Sequence, residues 1–129
     1  MTRLDSIIAV KDVKASTEWY HKIFGFSNAH GGDHFAVLTS KENEIILCLH
    51  AWGMDNHPTM THQNIPAGNG LILYFRTYDW KEIRQNLEKI GWEIEEEIHL
   101  NANSLRQEFS FRDLDGYLII VTEFHIYEG

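Results

Sequence analysis

The residues best suited to chemistry in this 129-residue chain are its 8 histidines and its 19 aspartates and glutamates. Imidazole and carboxylate groups together can hold a divalent metal ion or move protons. Three histidines, His50, His57 and His62, lie near the middle of the chain. Only the gap from His57 to His62 falls in the range used by zinc sites, which also need further ligands at fixed spacing. The spacing therefore favours solvated loop histidines over a metal clamp.

Two other features that could carry chemistry have simpler structural explanations. The acidic run at residues 93–97 lacks two carboxyl groups that converge in different environments, as acid–base catalysis requires. It is typical of a charged edge strand that resists aggregation. Cys48 is the sole cysteine and lies between Leu47 and Leu49. We expect its thiol to face the helix side of a sheet, buried and inert.

Composition excludes several classes of protein. Hydrophobic residues make up 43% of the chain, which is enough for a packed core and excludes disorder. The formal net charge of −8 argues against binding of a nucleic-acid backbone. No run approaches the roughly 18 apolar residues of a membrane span, and the first residues lack the pattern of a secretory signal. We therefore expect no nucleic-acid and no membrane partner. A lone cysteine forms no internal disulfide, which fits a cytoplasmic protein.

The elements that must position these residues repeat along the chain. A strand is predicted over residues 7–10, followed by a helix capped by Asp12 and ended by Gly25. The pattern returns with a strand over 71–75, a helix capped by Asp79, and Gly91 after it. Further strands are predicted over 28–32, 34–39, 44–50, 93–100, 108–111 and 117–123. The chain therefore reads as an α+β fold built from two copies of strand–helix–strand–strand–strand.

Two motifs carry a resemblance to a known family. Val10-Lys11-Asp12, Trp19-Tyr20 and then Ile23-Phe24-Gly25-Phe26 resemble a "VxD…FY…LGF" opening, and residues 111–117 (FRDLDGY) resemble a closing "F-x-D-P-D-G-N" hairpin. Together they resemble the vicinal oxygen chelate superfamily, which includes glyoxalase I, bleomycin-resistance proteins, fosfomycin-resistance enzymes and extradiol dioxygenases. The resemblance implies two βαβββ modules whose curved mixed sheets form a concave cleft, with helices on the outer face. We expect module one at about 1–52, a linker at about 53–69 and module two at about 70–129.

The resemblance also implies where a metal ion would be held. The four ligand positions correspond to Asp5, Leu47, Leu71 and Ile120. Only Asp5 carries a ligand atom, and three aliphatic side chains cannot bind a divalent ion. We therefore predict no metal, no cofactor and no catalytic residue.

An apolar cleft is predicted at these positions instead. If Leu71 and Ile120 face inward, alternation brings Leu73, Phe75 and Leu118 to the same face. A two-residue turn at Leu114-Asp115 would pair Phe111 with Leu118 and Phe109 with Ile120. The predicted ligand-binding residues are Asp5, Leu47, Leu49, Trp52, Leu71, Leu73, Phe75, Phe109, Phe111, Leu118 and Ile120. The same apolar residues could instead be packed core or a dimer interface.

Three functions remain open. The first is a metal-independent binding protein of the bleomycin-resistance type, a homodimer that sequesters a hydrophobic or aromatic, and potentially cationic, small molecule. The second is a glyoxalase- or dioxygenase-like metalloenzyme with atypical ligands such as Asp5, His50 and His99. The third is a module whose cleft is filled by its own loop, from Trp52 through Met54 to Met60. The aliphatic residues at the ligand positions favour the first.

Overall fold

The computed structural model describes residues 1–53, 57–64, 66 and 68–126. In chain order the elements are β1 (Ile7–Val10), α1 (Val13–Phe24), β2 (Ser27–Gly31), β3 (Phe35–Thr39), β4 (Ile45–Ala51), a short 3-10 helix (Pro58–Met60), β5 (Ile72–Thr77), α2 (Trp80–Lys89), β6 (Ile94–Leu100), β7 (Gln107–Arg112) and β8 (Leu118–Glu123). The chain divides into two units, residues 1–67 and 68–129. Each unit holds one βαβββ module, so the predicted α+β fold is confirmed. Among the described residues, no helix is long and apolar enough to cross a membrane.

The first helix begins and ends where the sequence predicts. The side chain of Asp12 accepts a hydrogen bond of 3.0 Å from the amide of Ala15, which satisfies one donor of the first turn. Gly25 adopts a left-handed φ of 77° and donates its amide to the carbonyl of His21. That conformation is unfavourable for residues with a Cβ, so glycine stops the helix here.

The first sheet has the strand order β1-β4-β3-β2, with β1 parallel to β4 and the other neighbours antiparallel. Leu49 pairs with both Ile8 and Ala36, and all three are buried. Because α1 packs on β3 and β4, we assign this fully buried side to the helix. The opposite side, which we call the distal face of the first sheet, carries Ile7, Ala9, Phe35, Val37, Cys48 and His50.

This register corrects two predictions about the first sheet. Leu47 and Leu49 lie on the side that faces α1, as part of the core, and do not line a cleft. Cys48 lies on the distal face, although it is buried as expected. The reason is the pleat of the strand: assigning one residue of β4 to the wrong side reverses all its neighbours.

The second sheet repeats this arrangement, with the order β5-β8-β7-β6 and β5 parallel to β8. Phe109 pairs with Val121 and Phe111 with Ile119, and all four are fully buried. This side faces α2, whose Arg84 donates two hydrogen bonds, of 3.0 and 2.8 Å, to the carboxylate of Glu97 in β6. The same bonds hold the pKa of Glu97 below its ordinary value. The other side, the distal face of the second sheet, carries Ile72, Tyr74, Arg76, Glu96, His99, Glu108, Ser110, Arg112, Leu118, Ile120 and Thr122.

A three-residue loop joins β7 to β8. Asp113 and Tyr117 close it, since the Asp113 amide donates to the Tyr117 carbonyl at 3.0 Å. Gly116 has a φ of 90° and donates its amide to the Asp113 carbonyl. The prediction of a two-residue turn is therefore wrong, and Phe111 pairs with Ile119 instead of Leu118. A shift of one residue moves a side chain to the opposite face of a sheet.

Candidate functional site

The distal face of the second sheet carries an apolar surface. Tyr74 of β5 pairs with Ile120 of β8, and Ile72 pairs with Leu118. Ile72 is 53% exposed and Tyr74 38% exposed, while Leu118 and Ile120 are half-buried. We call these four residues the apolar platform. An aromatic ring beside branched aliphatic side chains on a sheet is a surface that stacks well against flat apolar molecules.

A polar row lies next to the apolar platform. Thr122 pairs with Glu108, which in turn pairs with His99. The amide of Asn101 donates to Oε1 of Glu108 at 2.8 Å. The Nε2 atom of His99 lies 3.4 Å from Oε1 of Glu96 and 4.0 Å from Oε2 of Glu108. This edge of the distal face therefore offers carboxylate oxygens beside apolar surface.

The structure separates the residues predicted for the second half of the cleft. Leu118 and Ile120 lie on the distal face, and Leu71 stands just before β5 and is exposed. Four others lie on the side of the sheet assigned to α2, where all but the half-buried Phe75 belong to the buried core, so placing them in the cleft is wrong. They are Leu73, Phe75, Phe109 and Phe111. For Leu71, Leu118 and Ile120, participation in ligand binding stays a prediction.

In the first unit, His50 lies in β4 and not in the central loop, and it is only 3% exposed. Its Nδ1 atom is 2.7 Å from the carbonyl of Ala51. Its ring packs edge-on against the rings of Phe35 and His57, with centroids 6.1 and 5.0 Å away. The segment that contains His57 therefore packs back onto the distal face of its own sheet.

The rest of the central loop is only partly described. Met60 is buried, and its carbonyl accepts the amide of Gly53 at 2.6 Å. Trp52 follows β4 and is half-buried, whereas His62 is exposed. Met54 lies outside the described residues. Part of the loop thus packs on the first sheet, as the hypothesis of a cleft filled by its own loop requires. The apolar platform, however, belongs to the second sheet.

Asp5 is exposed and precedes β1. Burial raises the pKa of the Cys48 thiol, and the negative charge of Asp5 raises it further. A thiol with a raised pKa holds little thiolate near neutral pH and reacts slowly.

The raised pKa of the Cys48 thiol predicts a slow rate of alkylation. We expect iodoacetamide to modify Cys48 at pH 8 much more slowly than it modifies free cysteine. Asp5→Asn should speed the reaction severalfold, because removing the charge lowers the pKa of the thiol. The rate is measured by mass spectrometry of the intact protein, with the exposed Glu42→Gln as a control for net charge. A slower reaction in Asp5→Asn would contradict the electrostatic coupling.

Comparison with known families agrees with this architecture. Residues 3–121 match the model of the Glyoxalase/Bleomycin resistance protein/Dioxygenase superfamily. The chain belongs to this superfamily. No curated protein sequence matches the chain.

Solved structures of other proteins share this fold. An integron cassette protein from the mobile metagenome of V. cholerae is 26% identical, with a TM-score of 0.71 and 97% of each chain covered. A bleomycin resistance determinant encoded on transposon Tn5 is 14% identical, with a TM-score of 0.71, covering 98% of this chain and 100% of that one. A protein described as a possible glyoxalase from Bacillus cereus is 21% identical, with a TM-score of 0.64 over 95% and 98% of the two chains. The last two similarities establish the fold alone.

The residues present do not fit the metal that many members of the superfamily hold. Leu47 points toward α1, and Leu71 and Ile120 carry no donor atom. Among residues 1–53, 57–64, 66 and 68–126, no three His, Cys, Asp or Glu side chains come together as a metal site needs. The participation of Asp5, His50 and His99 as atypical ligands stays a hypothesis.

Sequence reasoning missed Tyr74, Ser110 and Glu108 as distal-face residues. A signal was available in β7, whose residues 108–112 alternate polar and apolar side chains. In an antiparallel strand covered by a helix on one side, the large apolar residues face the helix. That rule assigns Phe109 and Phe111 to the core and their polar neighbours to the distal face.

Proposed function

We propose that this protein is a metal-independent binding protein for a hydrophobic or aromatic small molecule. The observation that carries the proposal is the apolar platform, where the exposed Tyr74 ring lies beside Ile120 on the side of the sheet away from α2. Aromatic side chains with exposed faces bind flat apolar molecules by stacking and by removing apolar surface from water. The fold shared with a bleomycin resistance determinant supports a role in small-molecule binding.

The donor chemistry supports binding without a metal. Aliphatic side chains occupy three of the four positions that the resemblance implies for ligands, although Leu47 faces α1 and does not line the distal face. Binding on the distal face would therefore rest on stacking, apolar contact and hydrogen bonds. Ile120 holds one of these positions and is also part of the apolar platform. An isoleucine at this position cannot bind a metal ion, but its side chain adds apolar surface to the proposed binding site.

Two further properties belong to the proposal. We expect a homodimer, and the participation of Trp52 and Asp5 in ligand binding stays a prediction. We expect the protein to act in the cytoplasm, because its single cysteine suits a reducing compartment. Sedimentation velocity measures the oligomeric state directly.

Calorimetric titration with 1-naphthylmethanol, a neutral aromatic probe, tests the proposed function. We expect the wild type to bind it equally well with and without EDTA. Tyr74→Ala should weaken binding about tenfold, because an aromatic contact contributes roughly 1 kcal/mol beyond its buried area. Tyr78→Ala is the matched control, since Tyr78 is also exposed but stacks on Phe124 after the end of β5.

Two outcomes would contradict the proposed function. One is stoichiometric Ni, Zn, Fe or Mn in the purified protein, with probe binding lost on chelation. The other is an equal loss of binding in the Tyr74 and Tyr78 variants, which would place the probe away from the apolar platform.

A further inference from the structure

Glu108 is an unusual residue for the middle of a β-sheet. It lies in β7 on the distal face of the second sheet, and its side chain is only 9% exposed. Neighbouring Thr122 does not donate to it, because the Thr122 hydroxyl donates to the carbonyl of Gln107 at 3.2 Å. Burial of an ionised carboxylate is unfavourable unless other groups supply hydrogen bonds or positive charge.

One of the two carboxylate oxygens is held in place by the β6–β7 loop. Oδ1 of Asn101 accepts the amides of Asn103 and Ser104, at 2.8 and 3.1 Å, which orients the side-chain amide. Its Nδ2 atom then donates to Oε1 of Glu108 at 2.8 Å. The loop thus presents the carboxylate in a single orientation.

The other oxygen, Oε2, receives no hydrogen bond from any residue that the structure describes. The Nε2 atom of His99 lies 4.0 Å from it, too far for a hydrogen bond. Nδ1 of His99 is instead 2.8 Å from the carbonyl of Glu97, which holds the ring on β6. Glu108 therefore retains a strong acceptor that the described protein atoms leave unused.

Glu108 lies on the same face of the second sheet as the apolar platform. Glu108 is two residues from Ser110 along β7, and Ser110 pairs directly with Ile120. Side chains two residues apart on a strand share a face and lie about 7 Å apart. A ring that is stacked on the platform and extends over Ser110 would therefore bring a short substituent toward the Glu108 carboxylate.

We propose that Glu108 binds a positively charged nitrogen donor carried by an aromatic ligand. This inference rests on the proposed function and adds the ligand's charge to it. A cationic N–H donating to a carboxylate forms a hydrogen bond about twice as strong as one between neutral groups. Because no described residue donates to Oε2, an amine attached to the ring forms this bond without displacing a protein donor.

Two probes that share a ring test the inference. 1-Naphthylmethylammonium is the cation, and 1-naphthylmethanol is its neutral counterpart. We expect the wild type to bind the cation about tenfold more tightly. Glu108→Gln should remove this preference, because a neutral amide does not form a charge-assisted hydrogen bond with the ammonium group. The glutamine amide oxygen can still accept from Asn101, so the side chain keeps its orientation. Glu93→Gln, at an exposed residue before β6, controls for the loss of one negative charge.

The outcomes separate the two proposals. A cation preference that persists in Glu108→Gln, or that Glu93→Gln also removes, overturns the role of Glu108. A wild type that binds both probes equally overturns the inference and leaves the proposed function standing. A wild type that binds neither probe overturns both. Thermal unfolding of each variant verifies that the fold is retained.

Discussion

Phe109→Ala is expected to lower the free energy of unfolding by about 3–5 kcal/mol, the usual cost of truncating a fully buried phenylalanine. Phe109 is completely buried and stacks on Phe111, with ring centroids 5.8 Å apart. Ile120→Ala, on the distal face, should cost less than about 2 kcal/mol, because half-buried side chains lose less contact. Urea unfolding monitored by circular dichroism measures both values.

The pair of variants tests which face of the second sheet is the core. If Phe109 lined a binding surface and Ile120 lay beneath α2, the order of the two losses would be reversed. The binding experiment supplies the complementary result. Ile120→Ala should weaken 1-naphthylmethanol binding while leaving most of the stability.

Asp113→Ala is expected to cost about 2–3 kcal/mol, because it leaves two amides without their acceptor. Oδ1 of Asp113 accepts the amides of Asp115 and Tyr117, each at 2.9 Å, and the residue is buried. Asp113→Asn retains a side-chain oxygen at this position and should lose less than about 1 kcal/mol. Denaturant midpoints of the three proteins provide the comparison.

Equal losses in the alanine and asparagine variants would show that the charge of Asp113 matters and not its acceptor geometry. The role of this side chain also explains the length of the β7–β8 loop. Its two hydrogen bonds organise three residues between Asp113 and Tyr117 and thereby set the register of both strands.

The fold could be predicted because its signals are local. Asp12 and Gly25 delimit the first helix, and both act as sequence rules for helix ends describe. The repeated strand–helix–strand–strand–strand pattern depends only on the order and type of elements. It therefore holds even when the exact ends of the strands are displaced.

The candidate site could be predicted only in part, because it depends on register. A sequence with Asp113-Leu-Asp-Gly is compatible with loops of two or three residues, and the choice decides whether Phe111 or Arg112 pairs with Leu118. The superfamily resemblance predicts Ile120 on the face that carries Leu118, and the register has it there. The assumed two-residue turn predicts Phe109 on that same face, whereas the register has Phe109 on the opposite one. Local sequence does not show that β5 pairs in parallel with β8, so it does not predict that Tyr74 lies beside Ile120.

The parallel pairs also determine how each module folds. β1 pairs with β4 and β5 with β8, so in the part of the chain that the structure describes the first strand of each module pairs with the last strand alone. Contacts between residues distant in sequence form slowly, whereas hairpins such as β7–β8 close early. We therefore expect β5 to gain protection against amide exchange after β7 and β8. During synthesis, its apolar side chains have no strand to join until the module is complete, and this interval is when the chain is most prone to aggregate.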